Sequence, residues 1–305
     1  MTPSPGTHAP RPAVCLAVAA VVLAAGLRGA PVPVPVPNGS FELPSTVFVS
    51  TDIEVWQKSP EPPDYDPGGG PWFQKAGIFK NTAPGRPDHI PNLDGAQALY
   101  LFAVPEVGVS MDATGDDGIF PARYQPGDVW TLTVAIIGGG GNMPEGARLR
   151  VELGYLDAGG GRHLLAGTEV VHSAAQFPTT TQFLDFSVTT PVVTAADPWA
   201  GRRLSLNLVA TGSEFIGGYW DLDNVRLTVE RAEHFRVAVV PGDSGMRVSW
   251  PGAAGISYRV ERSADLKDWS LVGDPVQGAG GELQVELPVA GSGPLFVRVV
   301  SGASF

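Results

Sequence analysis

Cysteine is almost missing from this chain: Cys15 is the single one, and it lies in the first thirty positions. Disulfides, thiolate metal sites and cysteine nucleophiles are thereby excluded from everything downstream. Positive charge is scarce as well. Twenty Lys and Arg face 31 Asp and Glu, a net −11, which argues against nucleic acid and against adhesion to anionic lipid. Histidine is sparse, and His89, His163 and His172 have no ligand-like spacing. The one long apolar run, Ala13 to Ala25, falls short of the roughly 20 residues a membrane-spanning helix needs. No stretch between 38 and 305 has a convincing amphipathic helical period.

What the chain does have is glycine and proline, 39 and 29 residues, spread as punctuation between short apolar runs. That distribution favours tight turns and short strands. Period-two alternation recurs. In Asp128 to Ile137, Trp130, Leu132, Val134 and Ile136 share one face. In Ala147 to Leu156, Leu149, Val151, Leu153 and Tyr155 alternate with Arg148, Arg150 and Glu152. Gln182 to Val188, Arg203 to Val209 and Asp221 to Val229 behave alike. Half-buried antiparallel strands demand this pattern. Turn clusters separate the runs at 138–142 (GGGGN), 157–162 (DAGGGR) and 211–214 (TGSE). The expectation is an all-β chain, a jelly-roll sandwich over 38–231 and a small fibronectin type III-like sandwich over 232–305, with the boundary near Arg231 to Phe235. In the second part, strands are expected around Arg236 to Val240, Met246 to Trp250, Ser257 to Arg262, Leu283 to Leu287 and Leu295 to Val300.

Residues 1–30 have the order of a secretory signal: Arg11, the apolar run, then Gly26, Arg28 and Ala30. Pro31 to Pro37 (PVPVPVP) reads as a stiff extended lead-in. The expected location is secreted or periplasmic, with no membrane insertion.

The first domain opens with Val36-Pro37-Asn38-Gly39-Ser40-Phe41-Glu42 and closes with Trp220-Asp221-Leu222-Asp223-Asn224-Val225-Arg226-Leu227. These ends, with Gly95 to Phe102 and Tyr124 to Val134 between them, resemble secreted bacterial jelly rolls of the galactose-binding-like, carbohydrate-binding-module class. The resemblance implies a structural calcium clamping the first and last strands. Glu42 and Asp223 would be its side-chain ligands, with carbonyls near Asn38 and Ser40 assisting, all hard oxygen donors of the kind calcium takes. The other reading makes Glu42 a surface carboxylate and Asp223 a turn cap. A narrower resemblance, to the calcium-dependent Stig cyclases, implies a general-acid aspartate acting on an indole-isonitrile substrate, and Asp221 is the nearest match; the alternative makes Asp221 and Asp223 two calcium ligands on one strand face. The second domain has Tyr258-Arg259-Val260-Glu261-Arg262-Ser263-Ala264-Asp265-Leu266-Lys267-Asp268-Trp269. This is similar to a hairpin of accessory C-terminal sandwiches in secreted proteins of Verrucomicrobia-like bacteria, and implies that Tyr258, Val260 and Trp269 are core.

Other constellations carry less. Gly242-Asp243-Ser244-Gly245 has the letters of a serine protease nucleophile segment but reads as a hairpin turn, since no matching histidine segment exists. The glycines 138–141 precede Asn-Met-Pro rather than a helix and lysine, which rules out a phosphate loop. Residues 112–118 (DATGDDG) lack the pattern of an EF-hand. Trp56 to Ile90 is long, weak in strand signal and rich in aromatics. Trp56, Tyr65, Trp72 and Phe73 are its candidate ligand-binding residues, or else cover one end of the sandwich. The favoured function at this level is non-catalytic binding of a glycan, cell-surface component or small hydrophobic ligand. The alternatives are a Stig cyclase-like enzyme using Asp221 and an extracellular structural protein.

Overall fold

The computed structural model describes residues 18–20, 29–114, 118–212, 217–231, 237–242, 245–288 and 294–302. Most of the expected export segment, residues 1–30, lies outside them. So do parts of the 112–118 cluster and the 211–214 turn, residues 232–235 of the expected boundary, and Asp243 with Ser244. Two compact units are formed, one of Ala30–Arg231 and one of Ala232–Phe305 with Met1–Gly29. Among the described residues there is no α-helix, only two single-turn 3-10 segments, Pro67–Gly69 and Trp72–Gln74. No helix among the described residues is long and apolar enough to cross a membrane.

Strands are numbered along the chain from β1 (Val18–Ala20). The first unit contains β2 (Val32–Val34), β3 (Val49–Ser50), β4 (Gln57–Lys58), β5 (Ala76–Lys80), β6 (Gln97–Phe102) and β7 (Gly108–Asp112). Its second half supplies β8 (Val129–Gly140), β9 (Arg148–Leu156), β10 (Arg162–Val171), β11 (Leu184–Thr189), β12 (Arg203–Thr211) and β13 (Tyr219–Glu230). Two antiparallel sheets result. One runs β11-β8-β13-β6-β5-β3, with β2 on β13, and the other β10-β9-β12-β7-β4. This is the expected jelly-roll sandwich.

The alternating residues close it. Trp130, Leu132, Val134 and Ile136 of β8 are buried against Leu149, Val151 and Leu153 of β9 and Leu204, Leu206 and Leu208 of β12, in one core cluster. Removing such side chains from water is the main drive for bringing the two sheets together. Tyr155, the fourth on the β9 face, stays half-buried at the margin. The Trp56 to Ile90 stretch is less irregular than its sequence suggests, because β5 inserts between β3 and β6.

Of the glycine run 138–142 only the end, Gly141 and Asn142, forms the expected turn. β8 continues through the rest to Gly140, and the glycines leave room that aromatic rings occupy on both faces.

The second unit holds β14 (Ala238–Pro241), β15 (Gly245–Gly252), β16 (Ser257–Ser263), β17 (Ser270–Gln277), β18 (Gly281–Pro288) and β19 (Leu295–Gly302). They form the sheets β14-β15-β18 and β1-β19-β16-β17, with β1 parallel to β19. Val248, Trp250, Tyr258, Val260, Leu287, Val297 and Val299 make the core. Tyr258 and Val260 are buried as expected; Trp269 is not. It stays half-exposed, with the Arg298 guanidinium 4.1 Å from its ring centre. Sequence patterning missed β17, where Gly273 and Pro275 interrupt an edge strand.

Candidate active site on the outer face of the seven-stranded sheet

β13 directs Trp220 and Leu222, both fully buried, into the sandwich core. Alternation therefore sends Tyr219, Asp221 and Asp223 to the outer face, where a strand residue ordinarily meets water. These two aspartates do not: Asp221 is 7% exposed and Asp223 1%. A second, smaller apolar cluster covers this part of the sheet, made of Ile90, Ala98, Ala135, Ile137 and Phe183 with Phe79 and Leu93.

In register, Asp221 lies opposite Tyr100 of β6 and Ile137 of β8. An aromatic strip runs beside it. The Tyr100 and Phe102 rings meet edge-on at 6.0 Å, Phe102 and Tyr219 are tilted at 6.1 Å, and the Lys75 ammonium stands 5.0 Å over Phe102.

The Asp221 carboxyl is poorly matched to being charged. Its Oδ1 is buried with no hydrogen-bond partner. Leaving such an oxygen unpaired costs roughly 1–3 kcal/mol, and an uncompensated carboxylate costs far more. Burial accordingly pushes its pKa up to about 8, so at neutral pH the group holds a proton. Burial, and then the nearby Asp221 charge, also raise the Tyr219 phenol; burial raises Tyr100. A neutral carboxyl beside aromatic faces is equipped to give a proton to a bound apolar molecule.

Position along the strand is set by a bulge. Tyr219 pairs with Gly140 but Asp221 with Ile137, so β8 carries an extra residue at this point, and Gly139 takes φ 96°. Bulges of this kind re-aim neighbouring side chains. A Cβ at Gly140 would collide with the Tyr219 ring. We expect Gly140→Ala to displace that ring and lower stability by about 1–3 kcal/mol in denaturant titration. An unchanged midpoint would mean the ring is not seated on β8.

A carboxylate group adjoins the acid. Asp223 Oδ2 accepts from the Asp94 amide at 2.6 Å, and Oδ1 from the Asn224 amide. Glu42 Oε1 accepts from the amides of Ala96 and Gln97, and the Ser40 hydroxyl donates to Asp94 Oδ2. Burial pushes Asp223 up to about 7; its two amide bonds pull it down, and the Asp94 and Glu42 charges raise it again.

Ser40, Glu42 and Asp223 thus come together, joined by Asp94, which sequence reasoning did not single out. Asn38 is placed differently: its side chain ties Leu43 and Glu54, and its carbonyl accepts from Phe41 and the Trp56 indole. The donor set is all hard oxygen, as calcium prefers. Still, among the described residues no three His, Cys, Asp or Glu side chains are already grouped as a metal cage. The carboxylates are turned to backbone amides instead.

The candidate aromatics separate as well. Trp56 and Trp72 are buried, with their indole N–H groups donating to the carbonyls of Asn38 and Ser59. Tyr65 packs edge-on against Trp72 and donates to Gly70 O. Phe73 alone is open, at 57% exposed. Two surface depressions lie apart from Asp221, one along Ala175–Leu184 and one along Thr51–Phe73. Tyr100 and Tyr219, now beside the acid, were also missed; no motif marks them, because their proximity comes from strand pairing.

No curated protein matches this chain. Among solved structures, a cyclase from Fischerella sp. TAU is 24% identical, with 67% of this chain and 100% of that one covered and a TM-score of 0.50. A cyclase from Fischerella sp. TAU in complex with 4-(1H-indol-3-yl)butan-2-one is 24% identical over the same shares, TM-score 0.47. The xylan-binding CBM22-1 domain of Xyn10C from Paenibacillus barcinonensis is 15% identical, covering 70% and 100%, TM-score 0.35. At these identities the likeness is one of fold. The family described as HpiC1 cyclase matches residues 32–228, from β2 nearly to the end of β13, and the chain belongs to this HpiC1-like family.

Proposed function

We propose that the first unit is a cyclase for a small, largely hydrophobic, indole-type substrate seated on the outer face of the seven-stranded sheet. One observation carries this reading: a carboxyl, Asp221, buried with one oxygen unpaired beside the Tyr100–Phe102–Tyr219 strip. The family match supports it better than non-catalytic glycan binding.

In the proposed reaction Asp221 transfers its proton to an electron-rich atom of the substrate. The cation so formed is attacked by the substrate's own π system, which closes the ring, and the aromatic faces stabilise the positive charge. Loss of a proton from the cyclised product back to the Asp221 carboxylate completes an isomerisation without any co-reactant. Calcium is part of the proposal, held by Glu42, Asp223 and Asp94 with oxygens near Ser40, where it would tie the opening segment to β13 in a domain without disulfides. Export on the N-terminal segment belongs to the same reading.

The test incubates the protein with an indole-isonitrile substrate in calcium and in chelator, following product by mass-resolved chromatography and the melting midpoint in parallel. Isomers of unchanged mass, formed faster in calcium together with a raised midpoint, are expected. No isomer in either buffer would overturn the cyclase reading; equal midpoints would remove the calcium.

A further inference from the structure

The depression along Thr51–Phe73 has a chemistry of its own and shares no lining residue with the surroundings of Asp221. It encloses about 370 Å³, the scale of a small-molecule site. Its floor is apolar, Ile53 and Trp56 being 9% and 5% exposed, and the open Phe73 ring forms one wall.

Hydrogen-bonding capacity in the cleft is one-sided. The strong donors are already engaged: the Trp56 indole N–H donates to Asn38 O at 3.1 Å, and Lys58 Nζ donates to the carbonyls of Phe73 and Ala76 at 2.7 and 2.6 Å. Lys58 therefore fixes the segment that carries Phe73 rather than meeting a ligand. Acceptors remain. The carboxylates of Asp52 and Glu54 are exposed and make no close ion pair among the described residues, the Asp52 charge acting only at longer range on the Lys58 ammonium.

Glu54 and Trp56 are also held in place. Val55 between them sits at φ 64°, a conformation that a β-branched residue keeps only when its surroundings impose it. Here the surroundings are three hydrogen bonds. The Glu54 amide donates to Leu43 O, Asn38 Nδ2 donates to Glu54 O, and the Trp56 indole donates to Asn38 O, each at 3.1 Å.

A cleft offering two carboxylates and an aromatic surface, with its indole and ammonium nitrogens engaged, fits a ligand that brings positive charge. Anions are repelled by the two carboxylates. We propose that this cleft is a second binding site, taking a small organic ammonium ion, with Phe73 and Trp56 as the aromatic contacts and Asp52 and Glu54 as the counter-charges. The site is independent of the cyclase reading.

The test is titration calorimetry of the full chain with choline and with its neutral carbon isostere, 3,3-dimethylbutan-1-ol. Saturable choline binding is expected, weakened by salt, with none for the isostere. Phe73→Ala and Glu54→Gln should each weaken choline by about two- to fivefold, the range an exposed cation–π or ion-pair contact supplies. Both side chains are exposed, so unchanged melting midpoints are expected; should Phe73→Ala fail to fold, Phe73→Leu keeps the bulk without the π face. Absence of saturable choline binding, equal binding of the isostere, or full affinity in both variants would each overturn the site. So would binding of a neutral galactoside that Phe73→Ala abolishes.

Discussion

Asp221→Asn is expected to lose turnover by about 10²–10⁴-fold, the usual contribution of a positioned general acid, while the protein stays folded. Asparagine keeps the size of the side chain and its polarity but has no acid proton. The neutral aspartic acid it replaces is already uncharged at pH 7, so burial changes little. Trp220 and Leu222 on the opposite face of β13 still fill the core and fix the strand. Substrate affinity should change far less than the rate, since the Tyr100–Phe102–Tyr219 strip is untouched. In the unaltered protein the rate should fall as pH rises through about 8, where Asp221 gives up its proton. Turnover of Asp221→Asn comparable to the parent, measured on protein with a normal melting profile, would remove Asp221 from the chemistry.

The second large effect is on stability. A carboxyl raised from its ordinary value near 3.8 to about 8 keeps its proton in the fold over an interval in which the unfolded chain has released it. The native state then binds more protons than the unfolded state, and stability must fall as pH rises. The loss is about 1.4 kcal/mol per pH unit, on the order of 5 kcal/mol across the whole interval, and it levels off above the folded value. Below pH 4 the contribution is fully present. Asp223, pushed up to about 7, adds a loss of the same sign in chelator. Denaturant titration of the first unit from pH 4 to 9, in chelator, should therefore show a steep decline. Asp221→Asn should become the more stable protein at pH 9. A variant that tracks the parent's slope throughout would mean that Asp221 ionises in the fold as freely as in the unfolded chain.

These expectations trace back unevenly to the sequence. Alternation in β8, β9, β12 and β13 marked the strands and their buried faces, because one-sided burial stamps a period of two on the residues themselves. Gly138–Gly140 misled, since glycine signals a turn and, equally, a place where a ring lies on the backbone. β17 and β5 carry little pattern of their own and exist because a neighbour offers an edge. Trp269 has the size of a core residue, yet its surroundings include an arginine that shields its face in solvent.

The candidate site divides along the same line. Asp221 and Asp223 were visible because they share one short motif at the end of the first domain. Asp94, Tyr100 and Tyr219 were not, and of the candidate aromatics Trp56 and Trp72 are buried while Phe73 is open. Composition and periodicity by themselves determined an all-β chain with no thiol chemistry and an acidic surface, because these depend only on what each residue is and on its near neighbours. Only the tertiary structure decided that two aspartates on the outer face of a sheet would be buried. Beside them Phe183 and Ile90, from distant parts of the chain, cluster with Ala135 and Ile137, the β8 partners of the two aspartates, and no local pattern records such an encounter.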